Sequence, residues 1–71
     1  MTPVLREIQI NGEWREFVPG STLAELLDQL GLQPKGLAIA VAGEVVPKDE
    51  WSSTSVDPSL RIEIVTAVQG G

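Results

Sequence analysis

The chain has 71 residues, with ten acidic against five basic side chains and a formal net charge of −5, so it is sized for one small acidic domain. It contains no cysteine and no histidine, which removes disulfides, the two commonest zinc ligands, and Cys or His nucleophile and base chemistry. The acidic balance argues against a nucleic-acid partner, which needs clustered Lys and Arg, and towards a protein partner with a basic docking face; it would equally serve solubility alone.

An apolar fraction of 42% is that of a globular chain. A domain this short buries only ~60% of the surface its unfolded form exposes, which leaves little room for both a core and a deep catalytic pocket. The N-terminal stretch MTPVLREIQING alternates and carries charges early, so no signal peptide is expected. The longest apolar run, Leu37 to Gly43, is far below the ~20 residues that cross a membrane. A cytoplasmic location with no membrane contact is therefore expected, and the lack of Cys fits a reducing compartment.

In chain order, Val4 to Ile10 reads as a strand, with Ile8 and Ile10 on one face and Glu7 and Gln9 on the other. Asn11-Gly12 is a strong hairpin signal because both residues tolerate positive φ. The return strand runs Glu13 to Val18, with Trp14 and Glu16 on one face and Arg15 and Phe17 on the other, and Pro19-Gly20 ends it. Thr22, with Glu25 three residues on, makes a capping box. Leu23, Leu26, Leu27 and Leu30 then form one apolar stripe, and Gly31 supplies a left-handed stop. This predicts a single helix of about two and a half turns.

Leu32 to Gly36 reads as a loop. Leu37 to Val41 is a continuous apolar strand suited to the interior of a sheet. Ala42-Gly43-Glu44 turns the chain, and Val45-Val46 is a short strand halted by Pro47. Lys48 to Ser59 reads as irregular, anchored by Trp51 and Val56, with a turn at Asp57-Pro58-Ser59. Leu60 to Val65 is the last strand, with Leu60, Ile62 and Ile64 inward and Arg61, Glu63 and Val65 outward. The order ββ, α, ββ, β fits an α+β fold: a mixed sheet of four to five strands with one main helix across one face, and the last strand at the sheet centre. Residues 1–65 form the domain, and 66–71 form a flexible tail ending in Gly70-Gly71.

Several side chains invite sharper readings. Trp14 and Trp51 are read as edge or loop anchors of a small core rather than ligand contacts. Asp49-Glu50 reads as a solvated acidic loop rather than an acid/base or metal pair, and Lys35 and Lys48 as solvated. No glycine-rich phosphate loop occurs in the sequence. On the outward face, Val65 and Ala67 of the last strand join Ala38 and Ala40 of the third. Together with Val68 and Gln69 they make a candidate partner-binding patch beside the tail, although scattered apolar atoms are also normal on a sheet surface.

The chain resembles the small sulfur carrier proteins of thiamine biosynthesis, a family with the ubiquitin-like β-grasp fold. The resemblance rests on Asn11-Gly12-Glu13, Pro19-Gly20-Ser21-Thr22-Leu23, Leu26-Leu27, Gly31-Leu32 and Ile39-Ala40-Val41. It continues through Gly43-Glu44-Val45-Val46-Pro47 with Trp51, then Arg61-Ile62-Glu63-Ile64-Val65, Thr66-Ala67-Val68 and Gly70-Gly71. Val-Val-Pro followed by a Trp, combined with Ala-Val-x-Gly-Gly, is its specific part. Two positions depart from the family pattern: Ala42 stands where Asn is frequent, which makes a two-residue primed turn less evident there, and Asp57-Pro58-Ser59 replaces an Asp-Gly-Asp-like turn.

The resemblance implies a protein co-substrate rather than an enzyme. A partner adenylyltransferase of the ubiquitin-activating type would use MgATP to adenylate the Gly71 carboxylate. A cysteine-desulfurase-type donor would then supply persulfide sulfur, and the Gly71 thiocarboxylate would feed a thiazole synthase. Gly70 would let the tail bend into the partner's site. The chain itself would bind no cofactor and no metal, and would be a monomer when alone. The same fold and tail would also suit sulfur carriage to molybdopterin or tRNA, or a ubiquitin-like modifier.

Overall fold

The structure is a computed structural model and describes residues 5–66. The sequence-predicted site residues Ala67, Val68, Gln69, Gly70 and Gly71, and the strand position Val4, lie outside the described residues.

Strand β1 (Arg6–Ile10) and strand β2 (Glu13–Phe17) form an antiparallel hairpin. Asn11 and Gly12 at its tip have φ of 54° and 81°. Two positive φ values match the right-handed twist of the flanking strands, which is why Asn-Gly is favoured there. Pro19 and Gly20 then form a turn closed by the Ser21 N–H on the Val18 carbonyl (3.1 Å), with Gly20 at φ 87°.

Helix α1 (Leu23–Gln29) is capped at both ends. The Glu25 N–H donates to Thr22 Oγ1, and the Thr22 N–H donates to Glu25 Oε1. At the C-terminus the Leu32 N–H reaches the Leu27 carbonyl and the Gly31 N–H the Asp28 carbonyl, with Gly31 at φ 73°. This is a Schellman stop. The helix proper has seven residues, shorter than the expected two and a half turns because Thr22, Leu30 and Gly31 serve as caps rather than helix.

Strands β3 (Leu37–Val41) and β4 (Glu44–Val46) form a second hairpin, followed by a 3-10 helix (Lys48–Ser53) and strand β5 (Ile62–Thr66). The five strands lie in the order β2-β1-β5-β3-β4. β5 is parallel to β1 and antiparallel to β3, so the last strand is the middle of a mixed sheet, as expected of a β-grasp layout. β3 is interior, between β5 and the edge strand β4.

Helix α1 lies on one side of the sheet. Ile8, Ile10, Phe17, Ile39, Ile62 and Ile64 bury against Leu23, Leu26 and Leu27, with Trp51 and Val56 closing the core. Each such side chain contributes ~1.5–3 kcal/mol on leaving water. The extended segment after the 3-10 helix clasps the start of α1: the Leu23 N–H donates to the Thr54 carbonyl and the Val56 N–H to the Ser21 carbonyl. Trp51 sits in the core with its indole N–H on the Val46 carbonyl at 2.9 Å, so its one polar group is satisfied.

Three expectations are corrected. β5 begins at Ile62, not Leu60, because the Leu60 N–H is held on the Asp57 carbonyl and keeps that residue in the preceding turn, partly exposed. Trp14 is no core anchor; it is 62% exposed. With Ile8 and Ile10 pointing inward, their cross-strand register sends Gln9 and its partner Trp14 to the outer face, and Phe17 takes the inward place on β2. Ala42, despite not being Asn, does make a two-residue primed turn: Ala42 and Gly43 have φ of 52° and 84°.

A left-handed alanine is strained by ~1–2 kcal/mol, and Ala42 is exposed, so its methyl packs little. Ala42→Asn is expected to raise the free energy of unfolding by about 0.5–1 kcal/mol, since Asn tolerates this conformation. Urea denaturation at unchanged m-value checks this, and a stability equal to or below wild type would contradict the strain at position 42.

Candidate functional site

The candidate site is the C-terminal end of β5 and the sheet face that surrounds it. Residues 67–71 continue the chain from Thr66 at the end of this middle strand. On the β3 side β5 is paired along its whole length, from Val41↔Ile62 to Leu37↔Thr66. On the β1 side the strand pairing among the described residues is the single step Ile10↔Ile62. Asn11 extends it: its backbone N–H donates to the Ile62 carbonyl (2.9 Å), its Nδ2 donates to the Ile64 carbonyl (2.9 Å), and its Oδ1 accepts from the Ile64 N–H (2.9 Å). The side-chain amide thus stands in for a peptide group of a neighbouring strand. The hairpin signal located Asn11 but gave no sign of this second role, which depends on a strand 53 residues away.

On the outer face, away from α1, Val65 lies opposite Ala38, and Ala40 lies between Glu63 on β5 and Val45 on β4. Val65 is 56% exposed and Val45 72%, while Ala38 and Ala40 are half-buried. The structure therefore brings together the three described members of the sequence-predicted patch, Val65, Ala38 and Ala40, and adds Val45. Strand alternation puts Glu7, Glu16, Glu63 and Trp14 on this same face. The result is a small apolar strip with acidic surroundings, suited to a partner surface with apolar and basic groups.

Other singled-out residues fall elsewhere. Asp49 and Glu50 are exposed in the first turn of the 3-10 helix, where the Glu50 carbonyl accepts from the Ser53 and Thr54 hydroxyls. Lys48 is exposed, with Nζ 5.9 Å from the Trp51 ring centroid, close enough for a weak cation–π contact. Lys35 is exposed in the loop before β3. Among the described residues no three His, Cys, Asp or Glu side chains group to hold a metal ion, and no helix is long and apolar enough to cross a membrane.

Sequence reading missed a polar network at the start of α1. Buried Ser21 donates through Oγ to the Val18 carbonyl and accepts from Gln29 Nε2, and Gln29 Oε1 accepts the Val18 N–H. It joins the two ends of the helix to the end of β2. Nothing in the local pattern of Ser21 or Gln29 signals it, since the partners meet only after the helix has packed.

In the turn before β5, the Asp57 carboxylate accepts from the Ser59 hydroxyl and from its backbone N–H. These two hydrogen bonds, the hydroxyl's first, hold the carboxyl below its ordinary value against a small opposing effect of desolvation. A carboxyl whose folded-state pKa is depressed stabilises the fold above its unfolded pKa, and this contribution fades as pH falls through the folded-state value. Asp57→Asn is therefore expected to lower stability slightly at neutral pH and to match wild type in strong acid, below the carboxylate range. A stability difference that does not shrink on acidification would exclude this role for the Asp57 turn.

Three comparisons bear on this arrangement. The chain matches the ThiS family over residues 8–71. A thiazole synthase from Paramagnetospirillum magneticum is 34% identical over 65 residues, covering 92% of this chain and 20% of that protein, so the chain spans about a fifth of that relative's length. The sulfur carrier protein ThiS of Escherichia coli is 29% identical over 65 residues, covering 92% of this chain and 98% of that protein. The crystal structure of the thiamine biosynthesis protein ThiS from Geobacter metallireducens superposes with a TM-score of 0.81 at 22% identity, over 93% of this chain and all of that one. That likeness establishes the ubiquitin-like β-grasp fold. With most of its length matched, through the two final glycines, the chain belongs to the ThiS family.

Proposed function

We propose that this chain is a sulfur carrier for thiazole formation in thiamine biosynthesis, a protein co-substrate whose reactive group is the carboxylate of Gly71. The observation that carries this is the extent of the family match: it runs over residues 8–71 and so includes Gly70-Gly71 as well as the folded body. The central strand β5, which leads into that tail, and the full-length likeness to an Escherichia coli sulfur carrier support it.

A carboxylate is ionised at neutral pH and is a poor electrophile, so it must be activated before sulfur can replace oxygen. A partner adenylyltransferase transfers AMP from MgATP to Gly71 and releases pyrophosphate. The terminal sulfur of a donor persulfide then attacks the acyl carbon and expels AMP. A thiol cleaves the resulting S–S bond and leaves the thiocarboxylate on Gly71. Gly71 presents no Cβ near the acyl carbon, and Gly70 allows the backbone to bend into a narrow site. Ordering the tail costs ~1–2 kcal/mol per residue, which docking of the folded domain offsets.

ATP and Mg belong to the partner in this scheme. The sequence holds no phosphate loop, and a 71-residue domain has little room for one beside its core. A thiazole synthase is the acceptor; the relative bearing that name, which matches 92% of this chain within a fifth of its own length, supports the pairing. The need for ATP and for thiols fits a cytoplasmic setting. The strip of Val65, Ala38, Ala40 and Val45 is the docking surface, and Ala67, Val68 and Gln69 continue towards the reactive end.

Intact-mass measurement of the protein isolated from thiamine-starved cells is expected to show a species heavier by one oxygen-to-sulfur exchange, absent when Gly71 is deleted. A ladder of lysine conjugates would instead support a ubiquitin-like modifier. Formation of the thiocarboxylate without thiazole production by a matching synthase would indicate another sulfur acceptor.

The docking strip has its own test. Val65→Asp is expected to raise the KM for this chain in partner-dependent AMP formation by tenfold or more, a loss of about 1.4 kcal/mol or greater. Because Val65 is mostly exposed, the unfolding midpoint should move little. An unchanged KM would remove Val65 from the interface.

A further inference from the structure

The two hairpin tips flank the start of β5 and are nearly alike in backbone. Asn11 and Ala42 both lie at φ just above 50°, and each donates its backbone N–H to the incoming chain, Asn11 to the Ile62 carbonyl and Ala42 to the Arg61 carbonyl, at 2.9 Å. The strand pairing beyond the two tips differs. Past Ala42 the β3–β5 ladder continues to Thr66. Past Asn11 the hairpin turns away, because β1 ends at Ile10 while β5 runs on for four residues past their shared pair. At that place the Asn11 amide supplies one more ladder step, at Ile64, two residues before the end of β5.

We propose that Asn11 is a positioning residue for the carrier chemistry: by holding both backbone groups of Ile64, it fixes the direction in which β5 delivers the reactive tail. A strand paired on one edge only can swing about that ladder; a second edge contact near its end removes this freedom. The amide geometry is specific. Oδ1 must face the Ile64 N–H and Nδ2 the Ile64 carbonyl, since the flipped amide would set donor against donor and acceptor against acceptor. No other side chain combines this paired donor and acceptor, at this reach, with ready tolerance of positive φ. The paired departure at position 42 has the same cause: alanine suffices there because the ladder needs no side chain to extend it.

This role rests on the sulfur-carrier function proposed above, so its test has two arms. Asn11→Gly keeps the positive φ and removes only the amide; Asn11→Asp keeps the acceptor and loses the donor. In AMP formation by the partner adenylyltransferase with this chain as varied substrate, Asn11→Gly is expected to lower kcat at least tenfold, since misplacement by ~1 Å can cost ~100-fold. KM should change about twofold or less, because the docking strip is untouched. Asn11→Asp should fall between. A residue needed only for stability would behave otherwise: partial unfolding lowers the concentration of competent substrate, raising the apparent KM while kcat at saturation stays at the wild-type value. That outcome would overturn the proposal.

The second arm is independent of activity. Amide hydrogen exchange should quicken in Asn11→Gly at Ile64, whose N–H the Asn11 Oδ1 accepts, with Ile39 in β3 still protected. Unchanged protection at Ile64 would also overturn the proposal. A wild-type chain that is never adenylated would refute the carrier function and with it the catalytic part of this role, while the exchange comparison still decides whether Asn11 holds the strand.

Discussion

The middle strand of a sheet needs hydrogen-bond partners on both edges, and in this chain β5 outruns its neighbour β1. An unpaired backbone amide or carbonyl away from water costs about as much as a lost hydrogen bond, ~1–3 kcal/mol. The Asn11 amide, with both its bonds on Ile64 at 2.9 Å, meets that need at the place where the ladder would otherwise stop. One residue thereby performs two tasks: its backbone turns the first hairpin, and its side chain joins that hairpin to the last strand. The first and last parts of the chain are held together through this contact and the Ile10↔Ile62 step. The core behind them, Ile8, Ile10, Ile62 and Ile64 against the leucines of α1, depends on that registration.

In the role proposed for the chain, the same arrangement lets so small a domain serve a demanding reaction. The body need not assemble catalytic groups. It needs a rigid platform, a surface that a partner recognises and a defined place from which the tail departs. The capping box, the Schellman stop, the Ser21–Gln29 network and the buried indole of Trp51 each supply rigidity without ionised groups in the core. Residues that carry charge are confined to the surface, where the acidic side chains of the outer face surround the apolar strip of Val65, Ala38, Ala40 and Val45. In the proposed role, the described scaffold ends at Thr66 and the chemistry belongs to the residues after it.

The relatives fit this separation. One is a free carrier of nearly the same length, and another is a thiazole synthase in which the matching stretch is a fifth of the whole. A TM-score of 0.81 at 22% identity indicates that the fold is kept while most residues differ.

Most of the local structure was legible from the residues alone, because it rests on interactions between near neighbours. Asn11-Gly12, the Thr22–Glu25 capping box, the leucine stripe and the Gly31 stop all act within a few residues and are read directly. Alternation in β1 and β5 placed Ile8, Ile10, Ile62 and Ile64 inside and Val65 outside. Where the reading failed, a contact outside the alternation pattern decided. Leu60 alternates correctly with Ile62 but is held in the Asp57 turn. Trp14 has the bulk of a core anchor but lies on the outer register of an edge strand, with Phe17 filling the inward place. Ala42 lacks the usual turn chemistry and is still bent into a primed turn, because Gly43 comes next and the paired strands on either side impose the geometry. The sequence by itself determined the two hairpin turns, the capped helix, the inward isoleucines of β1 and β5 and the final glycine pair. Only the tertiary structure decided that one edge of the central strand β5 is completed by the Asn11 side chain, because that bond joins residues 53 apart in the chain and no local pattern encodes it.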